Sequence, residues 1–279
     1  TIDSNPRHVF LNPYEGSRYT LWEACRNLIA AGFEPMGMTN CLNYGNPEKD
    51  EVGYQFVESV KGLAQACREA NIPVVSGNVS FYNESPERRV YPTPTIGLVG
   101  YADSPDKTIK SAFKSGETLF LIGNDMRSNS NVGGSLYQRA FYDFLGGEID
   151  SVDAELELKL KDTIFQLRDS KLIGGCVDVS EGGLFGAVFE GIKNGNTGFV
   201  GSLINIEDKE KALFGEIVGR YVISTAQFDK VVNMLDSMGM SYRKLGVCTA
   251  GKLELDGYNF DLAKLNYLYD ESIGQEMNA

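Results

Sequence analysis

Histidine occurs once in the 279 residues, at position 8, inside a polar opening segment. A Ser-His-Asp or Cys-His nucleophilic site built within this chain is therefore excluded, and any imidazole base must come from another segment. The five cysteines (Cys25, Cys41, Cys67, Cys176 and Cys248) are scattered and form no C-x-x-C pair. That argues against a zinc site or a disulfide framework and fits the reduced cysteines of a cytosolic protein. No apolar run is long enough to span a bilayer and no signal peptide precedes the fold, so a cytoplasmic location without a membrane partner is expected. There is no G-x-x-x-x-G-K-[ST] loop, which excludes a P-loop enzyme, and no G-x-G-x-x-G after the first strand. Positive charge is also short: 26 Lys and Arg against 38 Asp and Glu give a net charge of -12. Nothing here could replace the counterions along a duplex, so no nucleic-acid partner is expected. A small phosphate ligand stays open, because magnesium and backbone amides can hold one. The chain opens at Thr1 rather than Met, which points to a fragment or a processed piece.

What is present describes a soluble globular protein: 42% hydrophobic and 23% charged residues, enough chain for one large domain or two of ordinary size. Leu21, Ala24, Cys25, Leu28 and Ile29 share a face, which predicts a helix over 21–31 that Gly32 ends. A strand is expected over 35–39. A second helix is expected over 51–71, with Phe56, Val57, Val60, Leu63, Ala64 and Cys67 on its buried side. Strands follow at Val74 and over 95–101. The polar stretch 104–115 is the expected connector, dividing the chain into 1–105 and 106–279. Beyond it, strands are expected over 118–122, 173–179 and 221–224, and helices over 154–169, after 183 and over 228–238. Residues 242–248 and 252–255 read as a closing hairpin.

The most informative feature is a pair of polar turns, each directly after a short apolar run. One is Met36-Gly37-Met38-Thr39-Asn40-Cys41-Leu42-Asn43-Tyr44-Gly45-Asn46-Pro47. The other is Pro73-Val74-Val75-Ser76-Gly77-Asn78-Val79-Ser80-Phe81-Tyr82-Asn83-Glu84. Glycine lets a backbone approach a phosphate closely, and Asn and Ser are neutral ligands for a hydrated magnesium ion. Either turn alone reads as an ordinary turn; together they point to a nucleotide site. Asp178 sits where a strand enters a helix, the usual edge of a ligand crevice. Ser180 is explained as that helix's N-cap, and Glu181 as a charge at its N-terminus. Glu216 and Arg220 can bind substrate or pair with each other, the pairing being the commoner outcome. Gly133-Gly134-Ser135 can cradle a phosphate or simply form a tight turn.

The runs 39–49 (Thr-Asn-Cys-Leu-Asn-Tyr-Gly-Asn-Pro-Glu-Lys) and 75–84 resemble the signature of phosphoribosylformylglycinamidine synthase, the large synthetase subunit. Tyr91-Pro92-Thr93-Pro94-Thr95-Ile96-Gly97 continues the likeness. The 133–135, Asp178 and Phe214 to Arg220 motifs follow in the expected order. The resemblance covers nearly the whole chain and is most specific in its first third. It places the chain in a larger group of ATP-using enzymes that includes aminoimidazole ribonucleotide synthetase and selenophosphate synthetase.

The fold this implies is α/β (α+β). An N-terminal domain would pair its sheet with an equivalent domain to form a central barrel, with a C-terminal α/β domain beside it. The chain resembles only the second half of a duplicated subunit. The implied reaction is ATP-dependent conversion of formylglycinamide ribonucleotide to its amidine, with ammonia from a separate glutaminase and a small bridging subunit in the complex. Residue by residue, Asn40 and Gly77 match ATP contacts, Asn78 a magnesium ligand and Ser80 a substrate contact. The family's catalytic histidine and most magnesium carboxylates lie in the missing half. Val177 stands where many relatives carry His, and Glu181 where Asp is usual; both departures weigh against a direct catalytic role for that loop. Two other readings stand beside this one: a non-catalytic half holding a structural nucleotide, and another small-molecule kinase of the same group, such as a thiamine phosphate kinase. A homodimer that mimics the missing half is also open, because a barrel edge would be exposed.

Overall fold

The structure, a computed structural model, describes residues 1–124, 132–203, 206 and 208–278. Its first region contains β1 (Ile2–Asp3), α1 (Pro6–Leu11), α2 (Pro13–Ala30), β2 (Glu34–Asn43), α3 (Asp50–Ala70), β3 (Val74–Ser80) and β4 (Thr93–Tyr101). The sheet order is β1-β4-β2-β3, with β2 antiparallel to β4 and parallel to β3. Helix α2 begins well before the expected Leu21. Asn12 accepts a hydrogen bond from the Glu15 amide and Pro13 occupies the first turn, a start signal independent of apolar periodicity. Gly32 follows the helix at φ +90°, where a side chain would also strike the Lys107 carbonyl.

The second region contains β5 (Thr118–Gly123), α4 (Leu136–Tyr142), α5 (Ala154–Asp169), β6 (Gly175–Asp178), α6 (Gly183–Gly195), β7 (Gly198–Gly201), α7 (Lys209–Phe214) and β8 (Arg220–Thr225). It continues with α8 (Phe228–Ser237), β9 (Tyr242–Thr249), β10 (Leu253–Leu255), β11 (Tyr258–Phe260) and α9 (Leu262–Asn278). Its seven strands run in the order β11-β10-β7-β9-β5-β8-β6. Alternation along β5 and β8 splits their residues between two cores. Phe120, Ile122, Tyr221 and Ile223 join a core shared with α2, α5 and the first sheet; Leu119, Leu121 and Val222 join one under α6. The connector contributes to packing as well: Phe113 is fully buried against the α6 glycines Gly191 and Gly195.

Several expectations are corrected. β9 and β10 do not form a hairpin; β7 lies between them, and β10 turns back onto β11 instead. Val57 and Val60 of α3 are exposed, and the buried face carries Val52, Gln55, Ser59, Gly62, Leu63 and Ala66. Gly62 lets α3 approach the Tyr14 backbone of α2, and that close contact sets the helix rotation. Ser180 does not cap α6. The chain makes a left-handed turn at Gly182 and Gly183, so the helix starts later and its first turn has no side-chain cap.

Candidate functional site

The two polar segments are not turns. Both are strand, paired in register: Asn40 opposite Gly77, Cys41 opposite Asn78, Asn43 opposite Ser80. Backbone hydrogen bonding along the ladder overrides the turn preference of Ser, Gly and Asn. The four predicted ligand residues therefore lie on adjacent strands, as the sequence suggested, but strand alternation divides them between faces. Asn40 shares the face of buried Met38 and Leu42 and lies beside Gly77. A Cβ on Gly77 would stand 2.6 Å from Asn40 Oδ1, so this glycine is required by its neighbour before any ligand is considered. Asn78 and Ser80 belong to the other face. There Thr39 Oγ1 and Ser76 Oγ are 2.7 Å apart, and the side-chain amides of Asn43 and Asn78 both donate to Cys41 Sγ, at 3.6 and 3.7 Å. Ser80 Oγ meets the Asn83 amide, whose Nδ2 also donates to the Tyr44 carbonyl. The face is rich in neutral oxygen and nitrogen and poor in charge. Among the described residues, no group of three His, Cys, Asp or Glu is arranged to hold a metal.

The remaining motifs meet at a second place, where the two regions pack. His8 is not in an open leader: Asn5 and Pro6 start α1, and His8 is 1% exposed against Tyr19, ring centroids 4.6 Å apart. Neither ring nitrogen has a hydrogen-bond partner among the described residues, and Glu216 Oε2 lies 3.6 Å from Nε2. Burial, then the charges of Arg7 and Arg26, push the imidazole down to about 3, so it is neutral at pH 7. Glu216 and Arg220 do not pair. Arg220 donates to the carbonyls of Gly215 and Ile217, while Glu216 reaches Arg7 of α1. The 133–135 turn is a tight turn with its donors spent: Ser135 caps α4, Gly134 N–H donates to Gln138 and Leu136 N–H to Glu216. It offers no phosphate cradle in this conformation.

Behind this lies a buried ionic group. Arg26 of α2, fully buried, pairs with Glu157 of α5 at 2.5 Å. Asp3, Glu23 and Asp178 feel the same guanidinium. Burial raises the Asp178, Glu23 and Glu157 carboxyls, and burial together with Asp178 brings Asp3 up to about 7. Asp178 Oδ2, Glu23 Oε2 and Glu157 Oε2 have no hydrogen-bond partner among the described residues. The only clue in the sequence was Asp178 at a strand end. Its partners lie far away in the chain, so spacing could not find them.

The family description "AIR synthase related protein, N-terminal domain" matches residues 1–102, and its C-terminal counterpart matches residues 114–256. The phosphoribosylformylglycinamidine synthase subunit PurL of Petrotoga mobilis is 37% identical over 99% of this chain and 38% of its own length. That of Aquifex aeolicus is 36% identical over 90% of this chain and 34% of its own length. The chain thus spans little more than a third of the curated relatives it matches. Among solved structures, T. maritima PurL complexed with FGAR superposes with a TM-score of 0.76 at 16% identity, covering 95% of this chain and 45% of that one. Thiamine-monophosphate kinase from Stenotrophomonas maltophilia gives 0.67 at 16% identity over 93% of this chain and 85% of the kinase.

Proposed function

The chain belongs to the AIR synthase related family, and from that premise we propose that it is the C-terminal synthetase half of a phosphoribosylformylglycinamidine synthase subunit. The observation that carries this reading is identity of 33–37% to curated PurL subunits along nearly the whole chain. The kinase likeness is one of fold alone. In this reading ATP phosphorylates the amide oxygen of formylglycinamide ribonucleotide, and ammonia then displaces phosphate to give the amidine. T. maritima PurL has been solved with FGAR and with ATP, which supports these ligands as a class. The work is done in the cytoplasm, in a complex with a glutaminase subunit and a small bridging subunit; a PurLQS assembly exists for T. maritima.

This chain's own contribution is positional. Asn40 and the backbone at Gly77 contact ATP, Ser80 contacts substrate, and Asn78 offers one neutral oxygen to magnesium. Magnesium, when bound, screens the phosphate charge. One amide oxygen does not make a magnesium site, so the carboxylates come from the other half. The open face of the first sheet supports the same division of labour. Val99 and Tyr101 of β4 are exposed on that face, and the edge strand β3 is exposed on both sides, its Val79 lying with Leu42 on the other one, as expected of a sheet edge that an equivalent domain covers. The 1–105 and 106–279 division is the matching domain reading, with one sheet on each side.

The second reading, a half that holds a structural nucleotide, draws on one observation. The donors of the 133–136 turn are already bonded within the chain. Amidine formation from ammonia, measured with this chain alone and with the full-length subunit, tests the main reading. Turnover is expected only from the full-length subunit. Equal turnover by the chain alone refutes a shared site.

A further inference from the structure

Glu216 gathers donors from three segments far apart in sequence. Its Oε1 accepts the Leu136 N–H at 2.8 Å and the Gly182 N–H at 3.2 Å; its Oε2 accepts Arg7 Nη2 at 3.3 Å. The side chain is 1% exposed. The two amides belong to the start of α4 and to the turn before α6, and glycine lets each turn come this close. Gly134, at φ +71°, leaves room for His8, whose Cδ2 would lie 2.6 Å from an added Cβ. Gly183, at φ +63°, passes the backbone around Leu213 and Phe214, next to Glu216. Arg7 works from the opposite side. It donates through Nε to the Gly134 carbonyl at 2.9 Å and through Nη2 to Glu181 Oε1 at 2.8 Å. One carboxylate and one guanidinium therefore touch both glycine turns and tie them to α1.

We infer that Glu216 is a positioning residue: an anion built into the chain that holds the 133–136 and 180–183 turns at fixed spacing and docks both onto the N-terminal region. The two amides are donors that a free oxyanion would otherwise attract, and the carboxylate satisfies them from within. Removing only the charge and removing the whole group should then differ. Glutamine keeps an acceptor for the two amides and loses the ion pair to Arg7. Alanine leaves two buried N–H groups without their acceptor and Arg7 with only Gly134 and Glu181. This holds whether or not a nucleotide binds, so it stands apart from the proposed reaction.

Hydrogen exchange on the intact chain tests it without reference to activity. In Glu216→Ala, the amides of Leu136 and Gly182 should both exchange about tenfold faster or more, and 0.1 M acetate should restore both. Glu216→Gln should loosen them less. Loosening at one turn alone, or acetate leaving both rates unchanged, overturns the inference. Should Glu216→Ala not fold, Arg7→Lys serves. It keeps the charge but cannot reach Gly134, Glu181 and Glu216 together, so both turns should again loosen, and unchanged protection at both overturns the inference.

Discussion

Strands β3 and β8 carry similar apolar side chains and meet opposite fates. Val74, Val75 and Val79 of β3 face solvent, Val75 at 73% exposure, whereas every residue of β8 from Arg220 to Thr225 is buried. The difference lies in what covers each sheet. The seven-stranded sheet has α6 on one face and α5, α8 and α2 on the other, so its alternating residues feed two cores. The four-stranded sheet has helices on one face only and ends at β3. β8 is covered on both faces, whereas β3 is an edge strand left open among the described residues. Apolar residues on an unfinished surface contribute to assembly rather than to the stability of the isolated chain.

The sharpest way to break this contrast is Val222→Asp. An unpaired carboxylate would enter the core under α6, at a cost of about 4 kcal/mol or more. Circular dichroism should show a chain that does not fold, and a stable variant would mean that this sheet is not closed. Next comes the joint between the regions. Arg26→Ala leaves Glu157 and its neighbouring carboxylates buried without their cation and should cost about 4 kcal/mol in urea unfolding. Arg26→Leu combined with Glu157→Leu should recover part of that loss; no recovery would contradict pairing as the cause.

His8 gives a smaller, pH-dependent effect at the same joint. Its folded pKa is near 3, below the ordinary 6.5, so the unfolded chain takes up the proton first as pH falls. Stability should therefore drop as pH goes from about 6.5 toward 3, by up to about 1.4 kcal/mol per unit. Asp3 works the other way. Its folded pKa near 7 lies above 3.8, so its effect is a loss of stability as pH rises from about 4 to 7. The two partly cancel in the parent chain. His8→Phe should leave the trend of Asp3 and the other carboxyls that burial raises, with stability declining as pH rises; urea titrations across pH 4 to 7.5 would reveal it. The smallest effect is expected at the open sheet. Val75→Lys should change the isolated chain's stability by less than about 0.5 kcal/mol, while weakening any association that covers the face, as read by sedimentation.

Much of this organisation could be read from residues. α5 begins and ends at the expected 154 and 169, and β5 and β8 extend their predicted strands by a residue at one end or both. The failures share a cause. Local preference favours a turn at Asn40 and Asn78, yet a neighbouring strand supplies the ladder. The α3 face was misassigned because a helix beside an incomplete sheet exposes valines that periodicity assigns to a core. Spacing offers Glu216 either a substrate or Arg220, four residues on, whereas its partner Arg7 lies 209 positions away. Spacing reports contacts within one element and is silent about those between regions. Of the candidate ligand residues, adjacency was legible; the division of Asn40 and Gly77 from Asn78 and Ser80 by strand alternation became visible only once the segments were known to be strand.

Calorimetric titration of magnesium-ATP into the chain and its Asn78→Ala variant bears most directly on a nucleotide held at β2 and β3. Weak, magnesium-dependent binding is expected in the parent chain, with the magnesium dependence lost in the variant while its thermal unfolding is unchanged. Equal affinity and equal magnesium dependence in both would contradict it.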